Sequence, residues 1–148
     1  MIDDLYSAKV LTLAANMPHA GRLAAPQATS EKVSKLCGSR VTVDLSLTDG
    51  KVTDFAQDVK ACALGQASAA VLGANILGAD VEELRAARDA LKAMLKTNGP
   101  VPQGRFADLA VLEVVKAYPA RHTSTLLAFE AALDAAMTAS AARISPAS

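Results

Sequence analysis

Aromatic residues make up only 3% of this 148-residue chain, and tryptophan is absent. A core so short of rings must be filled by Ala, Val and Leu, which favours closely packed helices and excludes a large aromatic-lined pocket. Histidine is limited to His19 and His122, and cysteine to Cys37 and Cys62. No Ser-His-Asp, metalloprotease or phosphate-loop pattern is present, which argues against an enzyme. The Gly73 to Gly78 stretch contains glycines but follows no strand, so it is not a nucleotide loop. An excess of one charge is also lacking: 15 Lys and Arg balance 15 Asp and Glu, and the absence of a basic face argues against nucleic acid. The apolar run from Ala67 to Ala79 is interrupted by Ser68, Gly73 and Asn75 and is too short to span a bilayer, so no membrane partner is expected. The opening Met1-Ile2-Asp3-Asp4 lacks a signal-peptide layout, which points to the cytoplasm. There, two cysteines are expected as thiols or ligands rather than as a structural disulfide.

Half of the residues are apolar (51%), enough for a real core, and one domain over residues 1–148 is expected, with a flexible tail from about residue 141. Val41, Val43, Leu45 and Leu47 alternate with polar residues, the period of a half-buried strand. Asp49-Gly50 then signals a tight hairpin, and a second strand from about Val52 to Val59 returns antiparallel. Glu31 to Leu36 predicts a short third strand, with residues 24–30 as a loop before it. A helix is expected over residues 3–16, stopped at Met17-Pro18, with His19 to Leu23 as a turn and His19 facing solvent. After Cys62 a helix runs to about Leu77 and ends at Gly78. Asp80, with Glu83 three positions later, opens the next helix, which closes at Asn98-Gly99-Pro100. Residues 107–118 predict a further helix closed by Pro119, and about Thr123 to Ala139 a last one. The fold class is therefore α+β: a small three-stranded antiparallel sheet with an N-terminal helix and about four following helices packed on it.

Cys37 stands just before the central strand and Cys62 just after its partner. A hairpin returns such flanking positions to the same end of the sheet, so the two cysteines are candidate neighbours although 25 positions apart. Gly38 lets backbone approach closely and leaves room for a bound atom. Cys62 opens a helix, where the positive end of the dipole favours thiolate, the form that binds metal or accepts sulfur. The alternative is that both cysteines are inert small hydrophobes.

Several segments together resemble the iron–sulfur cluster assembly scaffolds of the NifU N-terminal, IscU and SufU type, over roughly residues 5–138. They are Pro18-His19-Ala20-Gly21, Cys37-Gly38-Ser39, Cys62 to Ala69, and Tyr118 to Phe129. Cys62-Ala63-Leu64-Gly65-Gln66-Ala67-Ser68-Ala69 is the most specific of them, and the extra helix from about residue 105 to 118 is most similar to the SufU branch. The resemblance implies a scaffold rather than a catalyst. It implies zinc, iron or a [2Fe–2S] cluster held on three cysteines and a fourth ligand, sulfur from a cysteine desulfurase, and transfer to Fe–S acceptor proteins.

The chain departs from that pattern at two ligand positions. The third cysteine falls on Ser124 and the aspartate on Ser39, while His122 stands two residues before Ser124. Cys37 and Cys62 remain, with Ser124, Ser39 and His122 as candidates to complete a metal site and Gly38 and Arg121 as support. Ser124 has a second reading as a helix N-cap or near it, and His122 one as a solvent-facing residue. Serine is a hard, weakly acidic ligand beside thiolate. Three functions follow. The first is a scaffold with an incomplete ligand set, in which a homodimer sharing one cluster would supply the missing thiolates. The second is a persulfide sulfur acceptor working through Cys62 or Cys37. The third is a metal-free degenerate interaction module.

Overall fold

The computed structural model describes residues 7–35 and 38–144. In chain order these form α1 (Ala8–Ala15), β1 (Ala28–Ser34), β2 (Ser39–Thr48), β3 (Lys51–Lys60), α2 (Ala63–Asn75) and α3 (Val81–Lys96). A 3₁₀-wound segment (Gly104–Ala117), a 3₁₀ turn (Pro119–Arg121) and α4 (His122–Ile144) follow. The strands make one antiparallel sheet in the order β1-β2-β3. The α+β expectation holds, with small shifts of boundary. β1 begins at Ala28, inside the stretch read as loop, because Thr29 and Ser30 have partners on both faces of the sheet: Thr29 bonds Asp44 and Ser30 bonds Asp134.

The hairpin closes as its sequence demands. Asp49 and Gly50 both take positive φ (54° and 80°), the two-residue turn whose twist matches the flanking strands, with Thr48 opposite Lys51. Val41, Val43, Leu45 and Leu47 are buried together with Val52 and Phe55. Asp80 caps α3 by accepting from Glu83 N–H at 2.8 Å. Glu83 does not reach back as a capping box would; it pairs with Arg105 at 2.8 Å. Arg105 also donates to the Asn75 and Leu77 carbonyls, so one guanidinium ties the 3₁₀ segment to the end of α2 and the start of α3.

The helix expected over residues 107–118 is present with a tighter pitch. Its buried residues are Phe106, Leu109, Leu112 and Val115, spaced every third position. At three residues per turn that stripe stays on one line, whereas an α-helix would rotate it away from the core. Val111, Val114 and Val115 add β-branched crowding that weakens the α alternative.

α4 holds the fold together. Its buried residues run through Leu126, Leu127, Ala128, Phe129, Ala131, Ala132, Leu133, Ala135, Ala136 and Ala139, leaving little of its circumference polar. It packs on β1 and β2 on one side and on α2 and α3 on the other. A helix apolar nearly all round belongs in the interior.

The opposite face of the sheet carries a buried charge. Asp44, on β2, has no exposed side-chain surface and accepts from Arg22 Nε at 2.6 Å, Arg22 Nη2 at 3.1 Å, Leu23 N–H at 3.0 Å and Thr29 Oγ1 at 2.5 Å. Burial alone would raise its pKa. The hydrogen bonds from Arg22, Thr29 and Leu23 together outweigh burial and hold it below the ordinary carboxylate range. A folded-state value below the unfolded one, about 3.9, gives stability that is complete above that pH and lost as pH falls through the folded value. Asp44→Asn is expected to cost about 1–3 kcal/mol near neutral pH, from the hydrogen bonds lost to a charged acceptor. Urea denaturation at falling pH checks this: the gap between wild type and variant should close in acid, and a constant gap would contradict it.

Candidate functional site

Arg40 of β2 lies opposite Lys60 at the end of β3, and Ser39 lies opposite Ser34 at the end of β1. The β1–β2 connection and the entry to α2 therefore share one end of the sheet. Leu36 and Cys37 lie outside the described residues. Their neighbour Gly38 takes φ 74° and donates its N–H to the Ser34 carbonyl at 2.8 Å, closing the turn. Ser39 is buried at the base of that turn.

Cys62 is the N-cap of α2. Its backbone is extended (φ −67°, ψ 171°) and its carbonyl accepts the Gln66 N–H at 2.9 Å, while its side chain makes no capping bond. The thiol turns instead to Ser124: Sγ and Oγ are 3.2 Å apart, and either can donate. Cys62 is half-buried and is a free thiol, whereas Ser124 is only 2% exposed. Ser124 is the third residue of α4, inside the first turn, and it faces the α2 entry. The residue in the third-cysteine position thus touches the second cysteine.

Gly65 sets this approach. A Cβ there would lie 2.8 Å from Ala61 Cβ, 3.1 Å from the Ser124 carbonyl oxygen and 3.4 Å from Ser124 Oγ. Only a glycine lets the first turns of α2 and α4 meet closely enough for thiol and hydroxyl to touch. Gly65 belongs to the second cysteine motif, and its packing role comes from the tertiary meeting of two helix starts; its sequence signal is a place in the first turn of a helix of small residues.

His122 is buried, and its Nε2 is 3.1 Å from the Val115 carbonyl oxygen. A carbonyl only accepts, so Nε2 is the donor in this bond. Arg121 is half-buried, and its carbonyl accepts from Thr125 Oγ1 at 2.8 Å, bracing the start of α4. His19 is exposed and packs edge-on against Phe55, with ring centroids 5.9 Å apart. The Pro18 to Gly21 segment runs beside β3: Gln57 N–H donates to the His19 carbonyl and Gly21 N–H to the Gln57 carbonyl. The Gln57 side chain, fully buried, reaches the Pro18 and Ala69 carbonyls. Among the described residues no group of three or more His, Cys, Asp or Glu side chains gathers to hold a metal ion.

Gly65→Ala is expected to destabilise the protein by about 1–3 kcal/mol, because the added methyl meets backbone and a neighbouring Cβ that must shift. Thermal unfolding checks this; an unchanged midpoint would show that the two helix starts have slack.

A three-stranded antiparallel sheet packed with helices, with a cysteine opening one helix and a hydroxyl facing it from another, defines a small α+β domain built to present a thiol at one end. The chain belongs to the family described as NifU-like N terminal domain, which it matches over residues 5–125. The chain is 27% identical over 131 residues to the iron-sulfur cluster assembly scaffold protein IscU of Thermotoga maritima, a match covering 88% of this chain and 92% of that protein. It is also similar to the crystal structure of a nitrogen-fixing NifU-like protein (N-terminal) from Brucella abortus. That match has 55% identity and a TM-score of 0.92, covering 95% of this chain and 97% of that one. A scaffold protein for the SUF system from Fervidobacterium islandicum shares the fold, with a TM-score of 0.81 at 22% identity over 90% of this chain and 96% of that one.

Proposed function

We propose that this chain is a two-cysteine scaffold for iron–sulfur cluster assembly in the cytoplasm, acting as one domain over residues 1–148. In this reading Cys62 and Cys37 hold iron, zinc or a [2Fe–2S] cluster as cargo, and sulfur comes from a cysteine desulfurase before delivery to acceptor proteins. The observation that carries the reading is the 3.2 Å contact of Cys62 Sγ with Ser124 Oγ, in the position that the family pattern gives to its third cysteine.

The donor chemistry limits the form of the site. Cys62 offers one soft sulfur, and Ser124 a hard oxygen that ionises far less readily than a thiol. The Nε2 of His122 is committed to a carbonyl. These groups do not make a closed four-ligand zinc site. They fit a half-site that holds cargo through two thiolates per chain, with Ser124 hydrogen-bonding the Cys62 sulfur and Ser39, His122 and Arg121 as the further residues the family pattern brings to it. A cluster on four thiolates would then be shared by two copies.

A second reading is favoured by Cys62 being half-buried and free, with one hydrogen-bonding neighbour. In it the Cys62 thiolate attacks the outer sulfur of a persulfide on the desulfurase. A new sulfur–sulfur bond forms, the donor's sulfur–sulfur bond breaks, and the donor cysteine leaves as thiolate with no net redox change.

Metal and acid-labile sulfide content of anaerobically purified protein tests the first reading. Wild type should carry metal or sulfide near stoichiometry, and the Cys37→Ala/Cys62→Ala double variant none. Ser124→Cys, which restores a third thiol beside Cys62, should raise cluster retention under air relative to wild type. Wild type as empty as the double variant after reconstitution would sink the scaffold reading. A mass gain of one sulfur on Cys62 after treatment with desulfurase and cysteine would then establish the carrier.

A further inference from the structure

An open groove of about 430 Å³ runs along α4 between the edge strand β1 and α3. Its floor is lined by Leu126, Leu127 and Leu133 of α4, each no more than 5% exposed, and by the open Met137, and Val33 of β1 stands on its margin. Met137 is 44% exposed and Val33 is 49% exposed, two of the four large apolar side chains left open among the described residues. These two side chains are the groove's open apolar contacts, one on each side of the nearly buried leucines.

The groove's charges are unevenly used. Arg88, Lys92 and Lys96 recur every fourth residue along the α3 wall, so they line one face, and Lys32 stands on the β1 side. Its two carboxylates already have partners: Glu130 pairs with Arg88 at 2.7 Å, and Asp134 accepts from Ser30 Oγ at 2.7 Å with Lys32 at 3.9 Å. Lys92 and Lys96 are exposed and have no ion pair among the described residues. The groove therefore presents two uncompensated cations beside two open apolar side chains.

Topology places these cations. α3 starts beside the hairpin turn, where Asp80 bridges to Lys51, and runs back past Glu130 toward the beginning of α4. Lys96 and Thr123 line the same groove, and Thr123 adjoins Ser124. The positive end of the groove thus opens next to the thiol-bearing end of the sheet.

We propose that this groove docks an acidic, amphipathic segment of a protein partner. Its apolar side chains would seat against Met137 and Val33, and its carboxylates would meet Lys92 and Lys96. This is the helix-in-groove or strand-alongside mode of recognition, in which apolar anchors give contact and rim charges select the partner and speed encounter. A neutral or basic segment would leave both lysines uncompensated. The docking surface stands apart from the sulfur chemistry, since none of its residues is a candidate ligand.

A displayed library of random sixteen-residue peptides, selected on the full-length chain, tests this. Enriched peptides should be acidic with apolar residues at helical or alternating spacing. Lys92→Glu/Lys96→Glu should weaken their binding roughly tenfold or more, and Met137→Glu should weaken it as well. Cys62→Ala should leave binding unchanged. Circular dichroism checks that these surface variants remain folded. The proposal is overturned if nothing is enriched, if neutral or basic peptides dominate, or if the lysine reversals have no effect. It is equally overturned if sedimentation shows that the groove is covered by a second copy of the chain, with self-association lost in the same variants.

Discussion

The structure depends on a helix that buries almost its whole circumference. α4 fills the interior with alanines and leucines, and β1, β2, α2 and α3 pack directly on it. With so few aromatics, the core cannot rely on a few large rings to fill space. It relies on close approach between backbones, which small side chains permit. The same economy governs the meeting of α2 and α4, where Gly65 brings a helix start against Ser124. Packing and candidate chemistry thus share one junction, and a change made to improve either is felt by the other.

The hydroxyl at position 124 changes what that junction can offer. A thiol there would add a third soft donor within reach of Cys62. A hydroxyl instead exchanges a hydrogen bond with the Cys62 sulfur and leaves one face of the thiol open. In the function proposed above, such an arrangement would suit exchange of a sulfur or of a loosely held cargo better than permanent metal retention. His122, committed to the Val115 carbonyl, buttresses the turn that delivers Ser124 to this place.

Much of this was legible in the sequence. The alternation of Val41 to Leu47, the Asp49-Gly50 turn and the Asp80 cap each have a local cause, so each could be read locally. The gathering of the Gly38-Ser39 and Cys62 segments followed from hairpin geometry alone. Other features lie beyond local reading because their cause is tertiary. The bond between Arg22 and Asp44 joins a turn to a strand, and neither residue differs in pattern from its neighbours. The 3₁₀ pitch of the segment before Pro119 shows in the third-residue spacing of Phe106, Leu109, Leu112 and Val115, a signal easily taken for the usual helical period. Arg105 looks like an ordinary surface cation until α2 and α3 are placed around it. The contact of Cys62 with Ser124 required knowing that α4 begins against α2, which no spacing encodes.

The position of α4 in the chain also governs the order in which the molecule is completed. The strands pair only with sequence neighbours, and each hairpin can form as soon as it has been synthesised. The cover for β1 and β2 comes from residues some hundred positions later, as the bond of Ser30 to Asp134 marks. During synthesis the nascent sheet therefore waits with Val41, Val43 and Leu45 uncovered until the last helix leaves the ribosome. The interval of greatest exposure to aggregation runs from the completion of Lys60 until α4 has emerged, and a ribosome stalled within it would release a chain with its adhesive face still open.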